Sequence, residues 1–246
     1  MKISIVTSTY NAERFLQKCI DSVRVQKYHN FEFLVIDGGS NDSTLQIIKN
    51  NLDIISYYVS ERDTGIYNAW NKGVMASTGD WIMFLGADDE LLPSCLVDYS
   101  KFIEEHNKSA MEYISAKVIF ESISGRKIKE VGELWCWKKF RKYMNVAHVA
   151  SLHSRDLFQK HGPFDETFKI VGDYELMLRS QDKLKAAFMN NTVAIMRDGG
   201  VSNNPRKVFL ETFHAKRKNK SRNYFLCITD YIIAWSKYLI KRSIQR

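Results

Sequence analysis

The sequence has few of the residues that mark disordered, disulfide-bonded or membrane-spanning chains. Only 3 of its 246 residues are proline and 12 are glycine, which argues against disorder and low complexity. The 4 cysteines are scattered without a C-x-x-C pair, which favours a reducing compartment and excludes a zinc knuckle. No stretch reaches the roughly 20 uncharged apolar residues of a spanning helix, and the short apolar run at the N-terminus does not have the form of a signal peptide.

Apolar runs and helical periodicity alternate along the first part of the chain. Four short apolar segments, each followed by a polar turn, are typical of buried strands, and apolar residues at helical spacing separate them. The predicted strands are 3–7, 31–36, 54–59 and 81–85, and Asn11 is expected to cap a helix over 12–26. This order predicts an α/β protein with a mostly parallel, Rossmann-like sheet flanked by helices. Further along we expect a helix over 95–106, antiparallel strands in 113–122 and 125–133, a helix over 173–183 and a strand over 186–196.

Polar side chains follow each predicted parallel strand at its carboxyl end, where open α/β sheets bind ligands. The stretch WIMFLGADDE (81–90) runs from a buried strand into three consecutive acids, which repel one another unless a cation lies among them. The other strand ends carry Thr9 to Glu13, Asp37, and the Glu-Arg-Asp run 61–63. Each of these is a common cap or turn residue when taken alone, but their convergence on one edge predicts a binding site.

Two common phosphate-binding loops are absent. A dinucleotide site requires G-x-G-x-x-G after the first strand, but TSTYNAER (7–14) contains no glycine, and the pattern G-x-x-x-x-G-K-[ST] does not occur. The clustered carboxylates instead favour Mn²⁺ or Mg²⁺ that bridges to a diphosphate, because these ions accept hard oxygen ligands and an incomplete protein shell.

Four ordered blocks of the sequence resemble the family-2, inverting glycosyltransferases of the GT-A fold. The blocks are SIVTSTYNAERFLQKCIDS, FEFLVIDGGSNDST, NKGVMASTGDWIMFLGADD and GPFDETFKIVGDYELMLR, and the resemblance covers about residues 2–200. VIDGGS and GIYNAWNKG are most similar to bacterial polysaccharide-assembly enzymes, such as those for lipopolysaccharide or capsule. The resemblance implies metal-dependent transfer of a sugar from a nucleotide-diphosphate sugar, with UDP favoured, to a saccharide acceptor. It places a nucleotide-binding half at about 1–92 and an acceptor-binding half at about 93–205.

The resemblance also implies roles for individual residues. Asp173 matches the catalytic base, and Asp37 is expected to accept a hydrogen bond from the nucleotide base, typically from uracil N3–H. Asp88 matches the metal-binding aspartate of the D-x-D motif, with Asp89 beside it as a second metal ligand. The other residues expected at the nucleotide are Thr9, Tyr10, Asn11, Glu13, Arg62, Asp63 and Asn71, with Gly73 shaping the adjoining helix.

Three positions depart from the family pattern. Ser8 replaces the usual proline, Gly86 replaces the first Asp of D-x-D, and Gly172 replaces the Glu before the catalytic Asp173. Taken alone, Asp173 also fits a first-turn helix acid. Glu175, four residues before an arginine, is expected to form a helical ion pair.

Several further residues carry open alternatives. His148 is expected either near the acceptor or as a buried structural histidine. Trp135 and Trp137 could stack on a sugar or pack in the core. The segment DGGVSNN (198–204) could close the site or be an ordinary turn.

The last part of the chain, 206–246, is a basic, aromatic-rich extension. KRKNKSR (216–222) carries five positive charges, and Asp230 and Lys237 interrupt the apolar run that follows. This pattern favours an amphipathic helix at the headgroups of an inner membrane leaflet, and the alternative is a C-terminal helix that packs on the domain. Membrane contact would suit a lipid-linked saccharide acceptor and a cytoplasmic protein at the inner face of the cell membrane.

Two rival functions remain from the sequence. The net charge of +8 suits a nucleic-acid-binding protein, but acids at the strand ends would repel phosphates without a metal, so no nucleic-acid partner is expected. A non-catalytic nucleotide-binding protein of the same fold is the other alternative, because Gly86 and Gly172 depart from the pattern.

Overall fold

The computed structural model describes residues 1–106, 111–199 and 204–244. The strands in these ranges are β1 (Ile3–Thr9), β2 (Phe31–Asp37), β3 (Tyr57–Ser60), β4 (Trp81–Gly86), β5 (Glu90–Leu91), β6 (Tyr113–Glu121), β7 (Lys127–Val131), β8 (Leu152–Ser154) and β9 (Ala186–Arg197). The helices are α1 (Leu16–Arg24), α2 (Thr44–Lys49), α3 (Ile66–Ala76), α4 (Cys95–Glu105), α5 (Trp137–Phe140), α6 (Arg155–His161), α7 (Gly172–Arg179), α8 (Pro205–Lys218) and α9 (Tyr224–Ile244). A short 3₁₀ turn, Gln181–Lys183, follows α7.

The described strands form one mixed sheet in the order β3-β2-β1-β4-β8-β6-β9-β5, and β7 pairs with β6. The predicted parallel part is confirmed, because β1 pairs in parallel with both β2 and β4, and β2 pairs in parallel with β3. The predicted antiparallel pair is also present as β6 and β7. The carboxyl ends of β1 to β4 therefore meet at one edge of the sheet.

Side chains of the parallel strands alternate between two hydrophobic cores, one on each face of the sheet. Ile5 of β1 and Met83 of β4 lie in the core that α1 and α4 cover, whereas Val6 and Phe84 lie in the core that α3 and α7 cover. Strands buried on both faces are mainly apolar; WIMFL is entirely apolar, and in ISIVT the two polar residues, Ser4 and Thr7, are also buried.

Three predicted boundaries are wrong. The third strand begins at Tyr57, because the amides of Ile54 and Ile55 close a helical turn on Asn51 before pairing with β2 starts. Helix α1 begins at Leu16, and Asn11 does not cap it. Asn11 has a positive φ of 49°, and its side-chain oxygen accepts from the amide of Asn41. The helix predicted over 173–183 ends at Arg179 and continues as the 3₁₀ turn.

The basic extension forms two helices, α8 and α9, which pack on each other, and α8 also packs on α7. The basic run 216–222 is partly neutralised within the protein. Lys216 is buried and lies 2.9 Å from Asp230, and Lys218 pairs with Asp165 and with the buried Glu175. No helix in the described ranges is long and apolar enough to span a bilayer.

Candidate active site

The loops that follow β1 and β2 are joined by hydrogen bonds at the carboxyl edge of the sheet. The amide of Asn11 donates to the Ser40 hydroxyl (2.8 Å), and the Glu13 carboxylate accepts from the amide of Ser43 (2.9 Å). The ring of Tyr10 is 63% exposed beside them, whereas Thr9 is buried and its hydroxyl has no partner among the described residues. The predicted nucleotide residues of the first loop therefore lie together, and Tyr10 is the one most free to stack on a ligand.

Asp37 organises the second loop. Its carboxylate accepts hydrogen bonds from the amides of Gly39 (3.2 Å) and Ser40 (3.0 Å) and from the hydroxyls of Ser40 and Ser60. The residue has no exposed surface. Contact between Asp37 and a nucleotide base stays a prediction.

The third loop reaches the second through a close approach at Gly38. A Cβ on Gly38 would lie 2.6 Å from the Asp63 carboxylate, so the glycine of VIDGGS is needed for Asp63 to lie there. Arg62 is exposed beside it. Asn71, by contrast, uses its amide within the protein, where it bonds both the N–H and the carbonyl of Phe164 and also Glu166. Those contacts fasten α3 to the segment before α7.

Asp88 and Asp89 lie directly behind β4 and close to each other. A Cβ on Gly86 would lie 2.6 Å from one Asp89 oxygen and 2.9 Å from one Asp88 oxygen, so both carboxylates surround the glycine. Burial, and secondly the charge of Asp88, raise the pKa of Asp89 to about 7, and burial also raises the pKa of Asp88. Gly86, the departure from D-x-D, thus leaves the space that the two carboxylates occupy.

The donor set at this edge fits a divalent cation with an open coordination shell. Two adjacent carboxylates, both destabilised as anions by burial, offer hard oxygen ligands, and a cation there would relieve their repulsion. Within residues 1–106, 111–199 and 204–244 no group of three or more His, Cys, Asp or Glu could hold a metal. A cation on Asp88 and Asp89 would therefore have at most two ligands of these four residue types in the described ranges.

Asp173 lies in the first turn of α7 with little exposed surface. One carboxylate oxygen accepts from the amide of Tyr174 (2.8 Å) and lies 3.2 Å from the Tyr67 hydroxyl. The Tyr67 hydroxyl also lies 2.7 Å from the carbonyl of Ile170. Because it has only one proton, it shares that proton between the carbonyl and the Asp173 carboxylate. Burial raises the pKa of Asp173 to about 6. A carboxylate with that pKa is ionised at neutral pH and can accept a proton.

The ring of Tyr67 explains the glycine before Asp173. A Cβ on Gly172 would lie 2.8 to 2.9 Å from three carbon atoms of that ring. A glutamate at this position would collide with the buried tyrosine that holds Asp173. The two residues therefore form one packing unit, and the departure at Gly172 has a local steric cause.

The aromatic residues near Asp173 are packed. His148 is buried, stacks on Trp70 (centroids 5.2 Å apart), and its Nδ1 lies 3.9 Å from Asp173. Burial lowers the pKa of His148 to about 3, so the ring is neutral beside the carboxylate.

Trp135 and Trp137 pack against the core that contains Phe140, as the packing alternative predicts. Of the segment 198–204, residues 200–203 lie outside the described residues.

A cavity of about 350 Å³ opens beside Asp173 on the side of α8 and α9. In the described part of the chain its lining is mainly apolar, and it includes neither Asp37 nor Asp88. Tyr67 connects Asp173 to the sheet edge, because it stands in the first turn of α3, just after the loop that contains Asp63. Asp173 thus borders an apolar cavity on one side and contacts, through Tyr67, the helix that follows the third loop of the sheet edge.

Sequence reasoning missed two residues that hold this site. Arg197, at the end of β9, donates its amide to Asp89 (3.0 Å) and its guanidinium to the carbonyl of Asp88 (2.7 Å). Glu211 of α8 accepts from three successive amides, 169–171, just before α7. Both contacts join positions about 40 or more residues apart in sequence, and no local pattern indicates them.

Solved structures of other proteins share this architecture. Staphylococcus aureus TarS 1-349 in complex with UDP-GlcNAc superposes with a TM-score of 0.70 at 17% identity, covering 89% of this chain and 65% of that chain. The Pyrobaculum calidifontis mannosyltransferase PcManGT in complex with GDP-Man and Mn²⁺ superposes with a TM-score of 0.66 at 12% identity, covering 97% and 75%. The mixed sheet flanked by helices is the GT-A glycosyltransferase fold.

Sequence comparison then identifies the family. The family model "Glycosyl transferase family 2" matches residues 4–153, and the chain belongs to that family. A PGL/p-HBAD biosynthesis glycosyltransferase of Mycobacterium bovis (strain BCG / Pasteur 1173P2) is 33% identical over 207 residues, which are 81% of this chain and 78% of that protein. The protein is therefore a glycosyltransferase of the GT-A fold.

Proposed function

We propose that this glycosyltransferase moves a sugar, with inversion, from a nucleotide-diphosphate sugar to a saccharide acceptor in cell-surface polysaccharide or glycolipid assembly. UDP-sugar is the favoured donor. The proposal rests mainly on the position of Asp173. Its carboxylate is nearly buried, its pKa is raised, and it contacts Tyr67, which belongs to the helix that follows the acidic edge of the sheet. We assign residues 1–92 to donor binding and the following half to acceptor binding.

Asp173 performs the proton transfer in this mechanism. The acceptor hydroxyl is a weak nucleophile, so its proton passes to the Asp173 carboxylate as its oxygen attacks the anomeric carbon. The bond from that carbon to the donor phosphate oxygen breaks on the opposite face, and the nucleoside diphosphate leaves with the bonding electrons. One in-line displacement inverts the anomeric centre and needs no covalent intermediate.

Asp88 and Asp89 would hold Mn²⁺ or Mg²⁺, which neutralises charge on the departing diphosphate. Arg197 fixes both aspartates from the protein side through the backbone of Asp88 and the carboxylate of Asp89. Gly86 leaves them room. The solved structure of PcManGT is a complex with GDP-Man and Mn²⁺, which supports the same metal for this chain.

A thermal-shift panel of UDP, GDP, CDP and ADP, each with Mn²⁺ or with EDTA, tests the proposal. We expect one nucleotide, UDP, to raise Tm by several degrees only when Mn²⁺ is present, because a ligand that binds the folded state stabilises it by mass action. Stabilisation by none of the four with metal would contradict the proposal. Salt-sensitive binding of DNA or RNA that survives EDTA would support the nucleic-acid alternative instead.

We propose that α9 rests on the inner leaflet. Its exposed apolar side chains recur at intervals of seven, which places them along one side of the helix. These residues are Phe225, Leu226, Ile232, Ile233, Leu239 and Ile240. Co-sedimentation with vesicles containing about 30% anionic lipid is expected, and replacing Ile232 and Leu239 by serine should weaken it at least about tenfold, since each apolar side chain contributes to the binding. Equal sedimentation of the variant would overturn the membrane assignment.

A further inference from the structure

The cavity beside Asp173 is built by four parts of the chain that the acidic edge does not use. Its walls come from the segment 142–144, from the start of α7, and from the facing sides of α8 and α9. Five aromatic residues line it: Tyr143, Tyr174, Phe209, Phe213 and Tyr231. Its volume of about 350 Å³ lies at the lower end of the usual range of small-molecule sites.

Four charged side chains line this cavity, and two of them, Lys216 and Asp230, are paired with each other; the other two are Asp173 and the exposed Lys142. Lys216 is buried, and its ammonium group binds Asp230 at 2.9 Å and the carbonyl of Lys142. Asp230 also accepts from Arg222 at 3.0 Å. On this side of the cavity two cations, Lys216 and Arg222, therefore share one carboxylate. The lining is nevertheless mainly apolar, and this favours an apolar group over a charged or highly hydroxylated one.

Helix α9 presents its two sides to different surroundings. Cys227, Tyr231 and Ala234 line the cavity, and Phe225, Ile232 and Leu239 lie on the exposed side. The exposed apolar stripe and the cavity lining are therefore separated by the thickness of one helix. Glu211 of α8 binds the three amides before α7, so the same pair of helices is fastened to the turn that carries Asp173.

We infer that this cavity binds the apolar part of an amphiphilic acceptor, whose hydroxyl then lies at Asp173. The inference rests on the proposed function and narrows its acceptor to molecules with an apolar group next to the accepting sugar. At about 30 Å³ for each small group, the cavity holds an apolar group of about ten to twelve non-hydrogen atoms. Helices α8 and α9 thereby contribute to the acceptor site, and α9 also to the proposed membrane contact.

Calorimetric titration with two probes tests the inference on the full chain. The probes are n-octyl β-D-glucoside below its micelle concentration and methyl β-D-glucoside, which share a head group and differ in the chain. We expect the octyl compound to bind at least about 100-fold more tightly, since burial of about four methylene groups gives that ratio. Equal affinity for the two probes would overturn the inference.

Two variants on one helix separate this cavity from general detergent binding. Ala234→Phe places a ring in the cavity and should weaken octyl glucoside binding at least about tenfold, whereas Ser236→Phe adds the same ring on an exposed side of α9 and should leave it unchanged. Thr212→Gln, which puts an amide into the cavity from α8, is a second variant in case Ala234→Phe does not fold, and it too should weaken binding. Unchanged binding in a folded Ala234→Phe or Thr212→Gln protein would overturn the inference.

A parallel titration with UDP and Mn²⁺ distinguishes this inference from the proposed function. All folded variants should bind the nucleotide with the same Kd as the parent chain, because the cavity lining does not include Asp88 or Asp89. Loss of nucleotide binding in every protein, with octyl selectivity intact, would contradict the donor site alone. The reverse pattern would contradict the acceptor cavity alone.

Discussion

Replacing Asp173 by asparagine is expected to lower kcat for sugar transfer by about 10²- to 10⁴-fold, the usual contribution of a positioned general base. Asparagine keeps the size of the side chain, and its carbonyl oxygen can still accept from the amide of Tyr174, so α7 should begin as before. The Kd for UDP with Mn²⁺ should stay within about twofold, because the predicted metal ligands are untouched. Single-turnover transfer assays and calorimetry measure the two quantities.

The control is Asp182→Asn, an exposed acid in the 3₁₀ turn after α7, which should leave kcat unchanged. An equal loss of activity in both variants would indicate a general charge effect and contradict the assignment of Asp173. Loss of transfer with retained nucleotide binding would also argue against the non-catalytic alternative.

The pH profile gives a second measurement of the same group. Because burial raises the pKa of Asp173 to about 6, the carboxyl is protonated below that pH and cannot accept the acceptor's proton. We expect kcat/KM to fall about tenfold for each pH unit below about 6 and to level above it. A profile that is flat between about pH 5 and 7 would contradict the role of Asp173 as base.

Replacing Asp88 by asparagine is expected to weaken UDP binding in Mn²⁺ at least about 100-fold, since a bound metal contributes several kcal/mol of charge stabilisation. In EDTA the variant and the parent should bind UDP equally weakly.

The metal-free variant should unfold at the same or a higher temperature, because a neutral amide removes the repulsion between a half-buried carboxylate and the buried Asp89. Calorimetry and thermal unfolding with and without Mn²⁺ check these outcomes.

Asp156→Asn, an exposed acid in the first turn of α6, is the matched control and should keep the Mn²⁺ effect. A lower Tm of metal-free Asp88→Asn would show that the side chain supports the fold and would weaken the metal assignment. Retained Mn²⁺-dependent binding in Asp88→Asn would exclude Asp88 as a metal ligand.

Much of the fold could be predicted from local pattern, and two of the failures concern Asn11 and the start of β3. The parallel strands β1, β2 and β4 are short, largely buried apolar runs that local pattern predicts, whereas β3 is partly exposed. Asn11 was predicted as a helix cap, but its side chain bonds Asn41 across to the neighbouring loop, a contact that no spacing rule contains. Ile54 and Ile55 are apolar and β-branched, yet they lie in a turn that precedes β3.

Some residues of the candidate site could be predicted from the sequence, and others only from the structure. The sequence indicated Asp88, Asp89 and Asp173 because each belongs to a recognisable block, and it indicated Gly86 and Gly172 as departures. The structure supplied the physical reason for those departures, since a Cβ would meet the two aspartates at Gly86 and the Tyr67 ring at Gly172. Arg197 and Glu211 could not be found from a block, because their partners lie far away in the chain.

The sequence by itself determined the family, the parallel strands and the carboxylates at their ends, because short-range periodicity and ordered motifs encode them. Only the tertiary structure decided that α8 and α9 enclose a cavity beside Asp173 and that Lys216 lies buried against Asp230. The physical reason is that burial and pairing of a charge depend on which distant segments pack around it. A run of basic residues in the sequence is the same whether it faces water, lipid or another part of the chain.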